Sequence, residues 1–423
     1  MAELEDFWGT LATSPVDPDL VLTGGVELQR STDGGQSFVR ANAWGHYYGD
    51  PETRLHADVR GIDALEDPDG EGALVFVSTD GGTYLSRDGG ASFRNLCLEG
   101  LGVGQVYSTL TSKRDRDLIL AGTQDQGYQR GRREPARVSG PSTGFDQLLS
   151  GDYGYLTSSD GTHGLVYCTY PGFVLVQEGE THPNLLYPWV DFPAGSQHAW
   201  MPPVVADPTD PEAFFFLADR LYRYARRRGP YWAYRRHSGQ DFTAAGGRYL
   251  TALAFAPGDP SRVYAANDAG AAWTSDDRGR TWRRTELTGG RYLRPTSIDV
   301  ARNDRDRCVV GGSGYGGPGV LATDDGGRTW RALERGLPRT LVLDVGWAND
   351  GSGDVYAATE CGPYRWSAEE RRWRGLMGVE APATTYWSLE VLPDEGLVRF
   401  GTYGRGIWDY RRRDARPASA EAR

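Results

Sequence analysis

Lysine is almost missing from this 423-residue chain: Lys113 is the only one, and arginine supplies the rest of the 46 basic residues. Acidic residues outnumber them at 57, for a net charge of −11, and the arginines are scattered. That pattern excludes a nucleic-acid-binding surface, which needs basic charge gathered on one face. Cysteine is scarce as well. Cys97, Cys168, Cys308 and Cys361 lie far apart with no CxxC spacing, so free thiols in a reducing compartment are expected. No run approaches the roughly 18 apolar residues of a membrane span. The opening MAELEDFWGT has neither the basic nor the apolar region of a secretory signal. The expectation is a cytoplasmic protein that engages neither membrane nor nucleic acid. Helical periodicity is nearly absent, and with it any Gly-rich phosphate loop entering a helix and any nucleophile elbow.

Turns and aromatic residues are abundant. The chain has 57 Gly and 24 Pro, with 13 Trp, 23 Tyr and 13 Phe to fill a core, as an all-β protein requires. Four stretches repeat one pattern: STDGGQSF at Ser31–Phe38, SRDGGASF at Ser86–Phe93, SDDRGRTW at Ser275–Trp282 and TDDGGRTW at Thr323–Trp330. In each, Asp can accept backbone N–H bonds inside its own turn, Gly supplies the positive φ, and the closing aromatic packs on a sheet.

A longer repeat contains these boxes. An apolar run, a turn rich in Asp and Pro, and a second apolar run recur nine times at intervals of about 45–50 residues, the length of a propeller blade. Examples are LAFAPGDPSRVYAAN and IDVARNDRDRCVVGG. A third strand follows in every unit and a fourth in most, which predicts a single large β-propeller of four-stranded antiparallel blades. Nine repeat units are counted, or eight if two merge. Residues 1–411 form the propeller and 412–423 a disordered tail. The last unit stops after its third strand, so residues near Glu3–Phe7 are expected to close the ring by pairing the two termini.

The four boxes resemble the Asp-box (BNR) repeats of sialidases, of the xyloglucan-degrading glycoside hydrolases of family 74 and of sortilin-type propellers. HADVRGI at His56–Ile62, STDGGTYLS at Ser78–Ser86, GTQDQGYQR at Gly122–Arg130 and GTYGRGIW at Gly401–Trp408 are similar to bacterial BNR-repeat proteins. The resemblance implies the fold and a sialidase-like or glycoside-hydrolase-like heritage. Departures are plain: there is no Phe-Arg-Ile-Pro opening, and Arg294 has no companion arginines to complete a sialic-acid carboxylate clamp. A true sialidase is not expected.

Propeller geometry puts the boxes on the outer rim of one face and the second-to-third strand loops around the channel on the other. Those loops carry Asp80, Asp125, Asp219, Asp268 and Glu360, with Tyr170, Tyr315, Tyr403 and Arg405. Like charges around one channel raise one another's pKa or recruit a cation. Long connecting loops, among them Asn42–Asp58, Val138–Asp152 and Pro188–Met201, add rings beside carboxylates, the combination a sugar site uses.

The expected function is a glycoside-hydrolase-like enzyme acting through paired carboxylates on a carbohydrate or polar small molecule. Asp80, Asp125 and Asp268 are its catalytic candidates. His56, Asp58, Tyr48, Asp152, Trp200, Asp219, Arg294, Glu360, Trp387, Tyr403 and Arg405 are its substrate-binding candidates. No cofactor is required, although the acidic loops admit a divalent cation such as Ca2+. His56-x-Asp58 reads either as half of a metal site or as a His held by a carboxylate. The alternative function is a non-catalytic scaffold or assembly factor that binds a protein across the same face.

Overall fold

The computed structural model describes residues 9–70, 72–99, 101–132, 145–179, 189–229, 231–287, 293–378 and 381–412. Nine antiparallel sheets follow in chain order, spanning 10–40, 59–95, 106–149, 154–191, 204–236, 250–285, 295–332, 342–375 and 386–411. Eight have four strands. The ninth has three among the described residues, and both Glu3–Phe7 and the tail from 413 onward lie outside them. Two segments expected in connecting loops are fourth strands instead, Phe145–Leu149 and Trp189–Asp191. Each buries one residue, Leu148 or Val190, which is enough apolar surface to dock a short outer strand. No helix among the described residues is long and apolar enough to cross a membrane, and the four cysteines are free.

The turns that separate the strands are closed by Asp side chains. Between the first and second strands, a carboxylate oxygen accepts the N–H two residues on. The pairs are Asp17–Asp19, Asp67–Asp69, Asp115–Asp117, Asp160–Thr162, Asp207–Thr209, Asp259–Ser261, Asp304–Asp306 and Asp350–Ser352, at 2.8–3.2 Å. The third-to-fourth turns hold the four boxes. Asp325 accepts from the Thr329 N–H at 2.9 Å, the Thr329 hydroxyl at 2.6 Å and the Thr323 hydroxyl at 2.8 Å. The Thr323 hydroxyl oxygen in turn accepts from the N–H of Gly327, whose φ of 76° suits glycine. Asp33, Asp88 and Asp277 repeat this arrangement. Hydrogen bonds hold Asp33 and Asp325 at about 2, well below the usual carboxylate value.

The contacts divide the chain into two units. The first comprises Met1–Gly104 and Thr123–Asp152, and the second Gln105–Gly122 and Tyr153–Arg423. In the first unit, the faces of the first two sheets bury Leu20, Leu22, Leu28, Val59, Val75, Val77 and Tyr84 against one another. In the second, neighbouring sheets share such layers repeatedly, for example Val174, Val176, Phe214 and Phe216 between the fourth and fifth. Another joins the seventh and eighth through Val309, Val320, Val342, Val355 and Trp373. Each such side chain contributes about 1.5–3 kcal/mol.

Polar side chains on the first strands of the second unit fasten each sheet to the next. Ser108 Oγ accepts from the Leu156 N–H at 3.1 Å, and Thr157 Oγ1 from the Ala206 N–H at 3.1 Å. Asp299 accepts from the Trp347 N–H at 2.7 Å, Asp344 from the Leu389 N–H at 2.9 Å, and Glu390 from the Thr111 N–H at 2.8 Å. The last bond joins the ninth sheet to strand Val106–Thr111. The third to the ninth sheets therefore contact one another in succession, and the ninth returns to strand Val106–Thr111.

Candidate functional site

Eight of the nine loop positions singled out in the sequence lie between the second and third strands of their sheets, and Tyr170 ends the second strand of the fourth sheet. Their surroundings differ. The first unit gathers six of the candidate residues, and the second holds the other eight in separate small groups.

In the first unit, His56 precedes strand Val59–Glu66 and lies beneath the Asp80–Gly81 hairpin. Glycine is required at 81, since a Cβ there would sit 2.4 Å from His56 Cβ and Cγ. The ring is fixed from the other side by Tyr47, edge-on at 4.8 Å, and the His56 N–H donates to the Tyr84 hydroxyl at 3.3 Å. Tyr48 lies 6.5 Å away and is exposed. His56 Nδ1 approaches Asp80 Oδ1 at 3.5 Å, while Arg60 donates to Asp80 Oδ2 at 3.2 Å. His56 thus pairs with the Asp80 carboxylate, and its Nδ1 also lies 3.2 Å from the Ala57 carbonyl.

Burial alone would raise Asp80, but the His56 and Arg60 contacts outweigh it and keep its carboxylate ionised. Burial alone would lower His56, and Asp80 together with the charge of Asp125 reverses that. Asp125 behaves oppositely. Burial, then the charges of Asp152 and Asp80, push it up to about 7. Its N–H donates to Asp152 Oδ1 at 3.4 Å, and Asp152 is itself raised by burial. Asp58, at φ 63°, is raised by burial and then by Asp80. The cluster thus combines one ionised carboxylate, an imidazole held above its ordinary value and one carboxyl titrating near neutrality. Such a set can exchange a proton or bind a polar ligand. Among the described residues, no group of three or more His, Cys, Asp or Glu is arranged to hold a metal ion.

The second unit distributes its candidates. Asp268, the third catalytic candidate, accepts from the Arg248 N–H at 2.7 Å and its Nε at 3.0 Å. Burial would raise this carboxyl, and the Arg248 bonds more than offset it. Arg294 is exposed and donates to the Asp268 carbonyl at 3.5 Å. Asp219 accepts from the Gln197 N–H at 3.2 Å. Glu360 accepts from the Tyr315 hydroxyl, and from Thr340 Oγ1 at 3.1 Å. Trp387 stacks on Tyr403 at 5.5 Å and meets Tyr107 edge-on at 5.4 Å. Arg405 and Trp200 are exposed.

Two solved structures place this arrangement. YCF48 from Cyanidioschyzon merolae is similar at a TM-score of 0.54 and 12% identity, over 74% of this chain and 96% of that one. The Cps50 (Swd1) beta-propeller domain from Myceliophteria thermophila matches at a TM-score of 0.54 and 14% identity, over 72% and 96%. The fold is a large β-propeller. No protein-family profile matches the chain, and no curated protein sequence matches it.

Two features of the propeller were missed in the sequence. Asp299, Asp344 and Glu390 are acids inside apolar first strands, ringed by protein while part of each surface stays open. Burial pushes Asp299 up to about 7 and Asp344 up to about 6. The available signal was an acid amid otherwise apolar residues, in SIDV, VLDVGW and SLEVL. The other feature is a row of rings at one hairpin. Tyr153 meets Tyr170 at 5.0 Å, Tyr170 stacks on Phe173 at 4.6 Å, and Phe173 meets Trp189 at 5.5 Å.

Proposed function

We propose that this chain is a non-catalytic propeller scaffold of the cytoplasm that binds a protein partner through the aromatic loops of its second unit. The observation that carries this reading is the row Tyr153–Tyr170–Phe173–Trp189, which ends in a Trp that is 67% exposed. Beside Tyr153, Gly154 faces the Met201 thioether, which brings in Trp200 at 63% exposure. Large exposed rings on an outer strand and the segment after it, with Arg405 on a hairpin of the same unit, have the composition of protein-binding hot spots. The loop carboxylates of this unit support it too. Asp268 and Glu360 are already bonded by Arg248, Thr340 and Tyr315, so they hold loops in place.

A specific observation favours a second reading, glycoside-hydrolase-like chemistry in the first unit. Asp80 is kept ionised while Asp125 titrates at about 7, the division between base and acid that glycosidic cleavage uses. The Asp-box resemblance points the same way.

Affinity capture with the wild type and with the Trp189→Ser/Trp200→Ser variant separates the two readings. Both residues are exposed, so both proteins should unfold at the same midpoint. A partner held by the wild type and lost from the variant supports the scaffold. Equal retention sinks the aromatic surface. Hydrolysis of a glycoside by the wild type, abolished in Asp80→Asn and Asp125→Asn, would replace this reading with the second.

A further inference from the structure

A cavity of about 280 Å3 opens between the seventh and eighth sheets of the second unit. Arg307, Arg331 and Arg371 line it, with Trp347, Trp366 and Val355 as its apolar wall. Arg307 precedes strand Cys308–Gly312 and lays its guanidinium over the Trp347 ring at 4.5 Å. Asp324 positions two of the cations. One oxygen accepts from Arg307 Nε at 3.0 Å, and the other accepts from Arg331 Nε at 3.2 Å and Nη2 at 3.0 Å. Arg371 stands in the turn before strand Arg372–Gly375, at φ 51°, and makes no hydrogen bond or ion pair with the described residues. Its neighbour Glu370 is engaged by Arg374 at 2.6 Å.

The charge of this lining calls for a ligand. Three guanidiniums face one carboxylate, leaving an excess of two positive charges at the cavity wall. A group that brings oxygen acceptors and two negative charges balances it. Guanidinium forks match the oxygens of a phosphate in geometry as well as charge. Beside the cations, Leu333, Val355 and Trp366 offer apolar surface to the carbon body of an ester.

We propose that this cavity binds a small phosphate monoester, with Arg307, Arg331 and Arg371 on the phosphate and Trp366 against the ester group. Asp324 is a positioning residue that also competes with the ligand for two of the arginines. The site is independent of the partner surface and of the His56–Asp80 cluster.

The test is isothermal titration of the full chain with inorganic phosphate and with phenyl phosphate, at low and at physiological salt. Saturable one-site binding is expected for both, with phenyl phosphate at least tenfold tighter because of the apolar wall. Arg331→Gln should weaken both at least tenfold. Asp324→Asn should tighten both, an outcome that general loss of structure does not produce. Arg284→Gln, an exposed arginine elsewhere, should change neither. Two further ligands separate the sources of the phosphate: O-phosphoserine binding as tightly as a phosphoserine peptide assigns the site to free monoesters, and a peptide preference of tenfold or more assigns it to a phosphorylated protein. Absence of saturable heat with both phosphates overturns the proposal. So does equal weakening in Arg284→Gln and Arg331→Gln, or weaker binding in Asp324→Asn.

Discussion

Replacing Asp299 by Asn should stabilise this protein above pH 7 and leave it unchanged below about pH 4. The carboxyl accepts the Trp347 N–H at 2.7 Å from the adjacent sheet, and an Asn oxygen can accept the same bond. What Asn removes is ionisation. In the folded chain burial, with a smaller contribution from Asp344, pushes Asp299 from 3.8 to about 7. A carboxyl whose folded value is raised favours folding only while it holds its proton. Its contribution is full below the unfolded value near 4, falls as pH rises through the window between 4 and 7, and is lost above it. At about 1.4 kcal/mol per tenfold change in acid strength, that displacement corresponds to ~4 kcal/mol for a fully isolated group. Partial solvent access and the neighbouring Asp344 reduce it, so a gain of about 2 kcal/mol is expected for the variant at pH 8.

Urea denaturation of both proteins between pH 3.5 and 8.5 measures this directly. The two midpoints should coincide at pH 3.5 and separate as pH rises, with the variant above the wild type. Other raised carboxyls, such as Asp125, titrate in both proteins and cancel in the difference. A difference that does not depend on pH, or a variant less stable than the wild type at pH 8, would refute the assignment of Asp299 as a buried carboxyl that resists ionisation.

Asp80→Asn should lower the His56 pKa toward or below its ordinary value, because the carboxylate that offsets burial is then gone; NMR titration of the imidazole C–H signals reads it, and an unchanged value would remove Asp80 from that role. Gly81→Ala should reduce the thermal midpoint markedly and shift the His56 resonances, since its Cβ meets the imidazole at 2.4 Å. Asp277→Ala should cost about 1 kcal/mol through lost turn hydrogen bonds and leave partner capture untouched. Retention of full stability by that variant would contradict the turn-closing role of the boxes.

The repeat was legible because each turn carries its own chemistry. A Ser/Thr-x-Asp-x-Gly-x-Ser/Thr box closes one hairpin with bonds made entirely inside eight residues, so its sequence suffices to read it. The Asp–x–Asp and Asp–Pro turns are similarly local, and eight of the nine sheets use one. The outer strands Phe145–Leu149 and Trp189–Asp191 were not legible. Their pattern is three to five residues long, and their position depends on the sheet they dock against.

The same distinction applies to the site. Asp80, Asp125 and Asp268 share one hairpin position, and sequence could therefore align them, but it could not give them different neighbours. His56 comes to Asp80 from 24 residues upstream, through the space that Gly81 leaves empty. Arg248 comes to Asp268 from 20 residues upstream and neutralises it. Asp125 meets another acid, Asp152, 27 residues downstream. One repeated position thus yields an ionised carboxylate beside an imidazole whose pKa it raises, a neutralised ion pair and a carboxyl near pH 7. In a repeat protein, alignment therefore marks where function resides, and what each copy does follows from the long-range partner that only the folded chain supplies.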